Sequence, residues 1–240
     1  MDAQREAWLR RRDYGWGGSD IPVLLLALGM RQGCEAPAWM RARARHVVLR
    51  GDFAGIDTTP RIFAEKAGLV SPLGVGAAAG RGTEREAELI ATWRSNLEHG
   101  WPEGHEATYN PATIVAAGPQ RIMPLVDRVC PRLCVTPDAW LETHDGRFVV
   151  AQMKCSYGSA PDLRWYWRDQ ATAEIGATGA DAGVLVCGEY WARPEGVAPG
   201  DGPVRSWAVE RNDVAIDEIR AACREGWDRV RALRDYAAAA

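Results

Sequence analysis

The sequence predicts an α/β fold, and the positions of the apolar residues are the main evidence. Apolar residues recur at helical spacing after Thr83 and again at the C-terminus, which indicates amphipathic helices there. Residues 108–156 instead contain short apolar-rich segments, two of which flank the turn sequence His144-Asp145-Gly146. A helical segment at 161–178 leads to a buried strand at 182–188. The resulting order, α–βββ–α–β with additional helices, is typical of an α/β core.

The N-terminal elements begin and end at capping and turn residues. Residues 2–12 have the pattern of a short polar helix, and a glycine-rich turn follows them. In that turn, Ser19 or Asp20 is placed to cap the next, apolar helix. Thr58-Thr59-Pro60 predicts the start of another helix, which ends at Gly68.

The later elements follow from spacing and composition. Residues 71–82 predict a loop rich in glycine, alanine and proline, and an amphipathic helix follows from Thr83 to Gly100. Residues 204–210 predict an edge strand. The C-terminus predicts a long amphipathic helix, because its apolar residues have helical spacing: Ile216, Ile219, Cys223, Trp227, Val230 and Leu233.

Composition places the chain among soluble globular proteins. Of its 240 residues, 47% are apolar and 25% are charged. No apolar run approaches the roughly 20 residues that span a bilayer, so we expect a cytoplasmic protein with no membrane partner. The six cysteines are scattered through apolar segments, which favours buried thiols over a disulfide framework or a zinc site.

The charged residues are unevenly distributed. The net charge is −3, but residues 1–50 contain nine arginines against five acidic residues. This pattern suits either a polyanion-binding edge or solvated helix faces. Lys66 and Lys154 are the two lysines beside 27 arginines, and an ammonium can change its protonation where a guanidinium cannot. Lys154 is therefore a candidate functional residue.

The hairpin around residue 145 contains a pattern that suits metal-dependent chemistry. Gln152 and Lys154 share one face of its second strand, while Met153 packs behind. A three-residue loop places Asp138 directly opposite Gln152 on the same face, whereas a two-residue loop places it on the other. In the first case a carboxylate, an amide oxygen and an ammonium converge, which suits Mg²⁺ or Mn²⁺. A solvent-facing polar stripe explains the same pattern, and spacing alone leaves both interpretations open.

Several motifs extend this pattern into a resemblance to a known family. Asp138, thirteen residues and Gln152-x-Lys154 resemble the PD-(D/E)XK nuclease motif, with glutamine in place of the usual acid. Other motifs are similar to those of the lambda-exonuclease/YqaJ-type viral recombinase branch, in family order over roughly residues 10–190. They are Arg12-Asp13-Tyr14-Gly15-Trp16-Gly17-Gly18-Ser19-Asp20-Ile21, Thr59-Pro60-Arg61-Ile62-Phe63-Ala64-Glu65-Lys66-Ala67-Gly68, Arg81-Gly82-Thr83-Glu84-Arg85-Glu86, and Gln170 with Thr178-Gly179.

The resemblance implies a fold and an activity. The implied fold is an α/β restriction-endonuclease-like core, in which helices flank a central mixed β-sheet with a catalytic hairpin. We expect a single nuclease domain over residues 1–240, with an insertion at 30–57 and a C-terminal helical extension at 211–240. The implied activity is metal-dependent cleavage of DNA by a 5′→3′ exonuclease, which acts on duplex ends and leaves 3′ single-stranded overhangs for phage-type recombination.

The resemblance also implies cofactors and partners. The cofactor is Mg²⁺, with Mn²⁺ as the alternative, and the partners are double-stranded DNA ends and a single-strand annealing protein. A homo-oligomer, a trimer by family resemblance, is expected in the cytoplasm of a bacterial host cell.

Carried over residue by residue, the resemblance assigns a role to each motif residue. The implied catalytic residues are Lys154, Gln152, Asp138, Glu86 and Gln170. The implied metal ligands are Asp138, Gln152 and Glu86. Lys154 is expected to position the attacking water and offset charge on the scissile phosphate. Arg12 and Ser19 are expected to bind a terminal 5′-phosphate.

Local structural roles explain some of the same residues. Glu86 stands three residues after Thr83, as in a capping box, and Ser19 suits a helix N-cap. Gln170 suits an ordinary helix surface. Trp165 and Trp167 suit either stacking on unpaired bases or core packing.

Gln152 keeps other functions open. An amide removes one negative charge from the metal site and cannot accept a proton, so a DNA-binding module of the same fold with weakened catalysis is one alternative. A structure-specific endonuclease with the same core is a second, and a metal-dependent hydrolase of small phosphoesters is a third.

Overall fold

The computed structural model of this protein describes residues 15–49, 58–73, 77–99, 114–119, 125–157, 162–193, 196–199 and 204–239. The contacts among them divide the chain into two compact units. The first unit contains the described residues of Met1–Gly74, Pro124–Val135 and Asp213–Ala240. The second contains those of Val75–Met123 and Thr136–Asn212.

Strands and helices alternate irregularly along the chain. The strands are β1 (Trp16–Gly17), β2 (His46–Val48), β3 (Thr58–Pro60), β4 (Ile114–Pro119), β5 (Leu125–Val126), β6 (Leu133–Val135), β7 (Ala139–Thr143), β8 (Phe148–Tyr157), β9 (Ala182–Arg193), β10 (Gly196–Pro199) and β11 (Arg205–Glu210). The α-helices are α1 (Ile21–Ala27), α2 (Ala38–Ala44), α3 (Arg61–Ala67), α4 (Ala77–His99), α5 (Trp165–Thr178) and α6 (Asp213–Ala239). A 3-10 turn, Gly18–Asp20, precedes α1.

The first unit packs helices around a buried tryptophan. Strand β6 pairs parallel to β1 and antiparallel to β5, and α6 packs on α1 and α3. The Trp16 indole is fully buried, and its Nε1 donates a hydrogen bond to the carbonyl oxygen of Cys223, 2.9 Å away. Gly226 permits this close packing, because an added Cβ would lie 2.6 Å from Leu24 Cδ1 and 3.0 Å from Trp16 Cζ2.

The second unit is built on a mixed β-sheet. Its strand order is β4–β7–β8–β9, and both β10 and β11 pair with β9. Strands β8 and β9 are parallel and are connected through α5, whereas the other pairs are antiparallel. Parallel neighbours need such a crossover connection, so α5 is held against the sheet.

The two faces of β8 have different surroundings. Val149, Ala151 and Met153 belong to an apolar core with Leu89 and Trp93 of α4. The alternate residues, Gln152 and Lys154, therefore lie on the opposite face. That face is covered by α5, since a Cβ added to Gly183 of β9 would lie 3.1 Å from Ile175 Cδ1.

The α/β class and most predicted elements are confirmed. Helices α3 and α5 end at Gly68 and Gly179, whose φ angles of 81° and 73° are left-handed conformations that favour glycine. The predicted edge strand corresponds to β11 and the predicted C-terminal helix to α6. Among the described helices, none is long and apolar enough to cross a membrane.

Several details of the prediction were wrong. Residues Thr58–Pro60 form strand β3, and the helix predicted to start there begins at Arg61. Residues 77–82 are helical because the alanines at the start of α4 are strong helix formers. Strand β9 continues past residue 188 to Arg193, where it pairs with β10. Asp20 occupies the N-cap position of α1, but its carboxylate makes no capping bond to α1 and instead accepts a hydrogen bond from the Gly17 backbone N–H, 3.1 Å away.

Candidate active site

The β7–β8 hairpin aligns the two strands that carry the candidate residues. Ala139 pairs with Ala151, and Glu142 pairs with Phe148. Continued by one residue, this register places Asp138 opposite Gln152. The hairpin thus has the register predicted for the odd-length loop.

Side-chain bonds in the turn stabilise this register. The Arg147 backbone N–H donates to Thr143 Oγ1 over 3.1 Å, and Gly146 adopts a φ of 79°. The Thr143 hydroxyl also donates to Asp145 Oδ1, and this hydrogen bond lowers the pKa of the Asp145 carboxyl. A polar turn at this length keeps Asp138 on the face that Gln152 occupies.

Asp138 and Gln152 form a buried pair. Each of the two residues is 4% exposed. Asp138 Oδ2 accepts hydrogen bonds from the Met153 backbone N–H, 2.7 Å away, and from Gln152 Nε2. Gln152 Nε2 also lies 3.4 Å from the Met153 carbonyl oxygen. Both amide hydrogens are therefore directed to acceptors, which determines which way the amide points.

This orientation leaves the other end of the amide unsatisfied. Gln152 Oε1 is buried and has no hydrogen-bond partner among the described residues. A buried acceptor without a partner costs about 1–3 kcal/mol. An arrangement of this kind is stable when a ligand, such as a cation, contacts the oxygen.

Lys154 contacts the helix that covers the same face of the sheet. Its Nζ donates to Gln170 Oε1 over 3.0 Å, and Gln170 Nε2 donates to Glu174 Oε1 over 2.9 Å. Gln170 and Glu174 are one helical turn apart on α5. The result is a hydrogen-bonded chain from β8 to a carboxylate that is 1% exposed.

Glu174 was not identified from the sequence. An acid four residues after Gln170 was the available signal, but the same spacing occurs on many solvated helix faces. The structure shows the difference, because Glu174 is enclosed and its Oε1 accepts a bond from the amide that contacts Lys154.

The donor set fits a hard divalent cation. Asp138 and Gln152 offer oxygen atoms, the ligands that Mg²⁺ prefers. Within the described part of the chain, no group of three or more histidine, cysteine, aspartate or glutamate side chains could hold a metal. Glu86 lies in α4, and its side chain is outside the part of the chain that the structure describes.

Of the two residues expected to bind a 5′-phosphate, the structure describes Ser19, which belongs to the first unit. Arg12 lies outside the described residues. Ser19 is exposed in the 3-10 turn before α1. The structure thus places Ser19 at a surface, and it brings together Asp138 with Gln152 and Lys154 with Gln170 in the second unit.

The residue after Ser19 has a structural role that the sequence did not reveal. Asp20 Oδ1 lies 3.1 Å from Arg43 Nη1, and Asp20 Oδ2 lies 3.2 Å from Lys66 Nζ. Arg43 Nε also lies 2.9 Å from Glu65 Oε2. Burial lowers the pKa of Arg43, but the nearby charges of Asp20 and Glu65 together raise it by more than burial lowers it. The net shift is therefore upward. The Gly-Gly-Ser-Asp and Glu-Lys motifs therefore meet in one ion cluster.

Comparison with solved structures identifies exonucleases of similar fold. The alkaline exonuclease LHK-Exo from Laribacter hongkongensis aligns with a TM-score of 0.57 and 15% identity, covering 97% of this chain and 95% of that chain. Its complex with dAMP aligns with a TM-score of 0.53, 16% identity and the same coverage. A phage-related exonuclease from Haemophilus somnus 129PT aligns with a TM-score of 0.47 and 12% identity, covering 82% and 96%.

No family model matches the chain, and no curated protein matches it. The agreement with LHK-Exo extends over nearly the whole chain and is consistent with the lambda-exonuclease/YqaJ branch predicted from the motifs. At this identity, the comparison establishes the fold.

Proposed function

We propose that this protein is a metal-dependent deoxyribonuclease, a 5′→3′ exonuclease that acts on duplex DNA ends and leaves 3′ overhangs for phage-type recombination. The observation that carries the proposal is the buried Gln152 Oε1, which has no partner among the described residues, in a side chain that contacts Asp138 on the face that also holds Lys154. The mixed sheet with its β7–β8 hairpin, between α4 and α5, supports a restriction-endonuclease-like core. The similar fold of LHK-Exo supports the exonuclease activity.

Asp138 and Gln152 would hold the cation through oxygen atoms, with Glu86 as the third ligand. Mg²⁺, or Mn²⁺ in its place, would supply Lewis-acid stabilisation of charge on the scissile phosphate. The Met153 N–H bond holds the Asp138 carboxylate in position before any ligand arrives. The buried Gln152 amide is likewise oriented in advance by its bond to Asp138.

Lys154 would act on the attacking water and the phosphate. One of its three ammonium hydrogens is directed to Gln170, and among the described residues this is its one recorded acceptor, so two remain to contact a water molecule or a phosphate oxygen. Gln170 thus orients the ammonium, and Glu174 orients the Gln170 amide. A lysine held in this way can stabilise negative charge without a large reorganisation during the reaction.

The central test is digestion of linear duplex DNA that carries a 5′-phosphate, with Mg²⁺, Mn²⁺ or EDTA. We expect metal-dependent loss of the 5′ strand, which Lys154→Ala or Asp138→Ala abolishes without unfolding the protein. Arg231→Ala removes a cation whose side chain is 67% exposed on α6, and it is the matched control. Full activity of Lys154→Ala would refute the site assignment.

The preference for 5′-phosphorylated ends would come from Arg12 and Ser19. Arginine forms charge-assisted bonds with phosphate, and the exposed position of Ser19 suits contact with a bound end. Arg12→Ala should reduce cleavage of phosphorylated ends more than that of unphosphorylated ends. An equal loss on both substrates would contradict this assignment.

A DNA-binding module without cleavage is the second candidate. The observation that favours it is Gln152 itself. Because its amide is uncharged, Asp138 supplies the negative charge of this pair alone, and the attraction for a cation is weaker. DNA binding without cleavage under any metal would support this candidate. Cleavage of closed circular DNA would support a structure-specific endonuclease, and DNA affinity that is insensitive to salt would favour a hydrolase of small phosphoesters.

The assembly is a separate part of the proposal. We expect a homo-oligomer, a trimer by family resemblance, and a single-strand annealing protein as a partner. Sedimentation analysis of the purified protein tests the first expectation, since a monomer at all concentrations would contradict it.

A further inference from the structure

The first turn of α5 carries three consecutive aromatic residues between two arginines. The segment is Arg164-Trp165-Tyr166-Trp167-Arg168, and all three aromatic residues are partly exposed. By contrast, the later residues 171–177 of the same helix are buried. Trp165 and Tyr166 have ring centroids 5.6 Å apart, and Tyr166 and Trp167 have centroids 5.7 Å apart, both edge to face. These rings therefore form a cluster outside the core.

The aromatic cluster adjoins the candidate active site. Tyr166 and Trp167 precede Gln170 by four and three residues, so they lie on the same side of α5 as Gln170. Gln170 Oε1 accepts the hydrogen bond from Lys154 Nζ, 3.0 Å away. A ligand at Lys154 that extended by about one helical turn along α5 would reach the aromatic rings.

The flanking charges specify what kind of ligand suits this cluster. Within the described part of the chain, neither Arg164 nor Arg168 forms an ion pair. Aromatic faces beside available guanidinium groups are typical of surfaces that bind unpaired nucleotides, because the rings stack on bases while the arginines contact phosphates. Duplex DNA offers few base faces for stacking, because its bases already stack on one another.

Building on the proposed nuclease function, we propose that residues 164–168 form a stacking site for unpaired bases of the DNA strand bound at Lys154. In this arrangement, bases released from the duplex end contact the aromatic rings, and their phosphates contact Arg164 and Arg168. The cluster therefore favours DNA with an unpaired end over fully paired DNA.

Binding to a single-stranded probe tests this site without requiring cleavage. The probe is a 5′-phosphorylated oligothymidine with one 2-aminopurine, and its Kd and fluorescence are measured in EDTA. The double variant Trp165→Leu/Trp167→Leu should weaken binding by about 5- to 150-fold for each ring that stacks, and it should reduce quenching of the 2-aminopurine. Trp39→Leu removes a 51%-exposed tryptophan in the first unit and should change neither quantity.

A second variant tests the phosphate contacts through the salt dependence of binding, at one partly exposed and one exposed arginine. Arg164→Gln/Arg168→Gln should reduce the slope of log Kd against log salt by about 1.4, which corresponds to two lost phosphate contacts on a single strand. An unchanged slope, or unchanged oligothymidine affinity in the tryptophan variant, would overturn the proposal. An equal loss of affinity in Trp39→Leu would also overturn it.

The two proposals can fail separately. If the wild-type protein digests duplex DNA but does not bind oligothymidine, the stacking site is refuted and the nuclease function stands. If stacking is lost in the tryptophan variant but the wild-type protein never cleaves DNA, the aromatic site stands as a DNA-binding site and the nuclease function is refuted.

Discussion

Gln152→Glu tests whether residue 152 faces a metal ion. In the structure, Gln152 Nε2 donates to Asp138 Oδ2, and both residues are 4% exposed. The substitution replaces this donor with a carboxylate oxygen, so two acids meet at a buried position. In EDTA at pH 8 the two carboxylates repel each other, because no cation compensates their charges.

The structure allows the magnitude to be estimated. A hydrogen bond to a charged group contributes about 1.5–3 kcal/mol, and this bond is lost in EDTA at pH 8. For a chain of this size, that loss lowers the Tm by roughly 3–12 °C. A cation reverses the effect, since it removes the repulsion and binds the additional negative charge. Each tenfold gain in Mg²⁺ affinity restores about 1.4 kcal/mol at saturating metal.

The assay is thermal denaturation in EDTA and across a Mg²⁺ titration. We expect the variant to be less stable than the wild-type protein in EDTA and to gain more stability from Mg²⁺. Gln32→Glu is the matched control, because it introduces the same charge at an exposed position of the first unit. Equal Tm values in EDTA, or equal stabilisation of both proteins by Mg²⁺, would refute the placement of Gln152 at a metal site.

Three further predictions concern other parts of the molecule. Glu174→Leu removes the acceptor that orients the Gln170 amide, so kcat should fall about tenfold or more with little change in KM. Glu174→Gln should retain most activity, because its amide oxygen can accept the same bond. Equal kcat values in the two variants would contradict this role. The hydrogen bond from Cys223 lowers the pKa of the Cys130 thiol from an ordinary value of 9.0 to about 6. The Cys130 thiolate therefore contributes stability that is fully present above pH 9 and is lost as the pH falls through 6. Cys223→Ala should raise this pKa, which a pH titration of thiolate absorbance measures, and an unchanged titration would refute the contact. Gly226→Val should destabilise the protein by about 1–3 kcal/mol through overpacking against α1, and a denaturant titration that shows no loss of stability would contradict the close packing.

Most of the features that could be predicted depend on residues that are close together in the chain. The ends of α3 and α5 depend on glycines in a left-handed conformation, and a glycine after a helical pattern is a local signal. The hairpin is local as well, since its turn residues determine its register. The placement of Asp138 opposite Gln152 could therefore be derived as one of two options.

Local signals failed where a contact joined distant segments. Asp20 was expected to be a possible helix cap, but Arg43 and Lys66 surround its carboxylate, and neither interaction has a sequence signature. Glu174 has the same spacing as a solvated helix acid, and its role depends on α5 packing against β8. The partial exposure of Trp165 and Trp167 likewise depends on which turns of α5 the sheet covers.

The α/β class, the hairpin and its polar residues could be predicted, because they depend on the periodicity of side chains and on turn chemistry between near neighbours. The orientation of the Gln152 amide could not be predicted: its nitrogen faces Asp138, and its Oε1 is buried without a partner in the described chain. The contact of Lys154 with α5 could not be predicted either. The physical reason is that a buried polar atom is satisfied by whichever groups packing brings to it, and packing joins residues far apart in sequence.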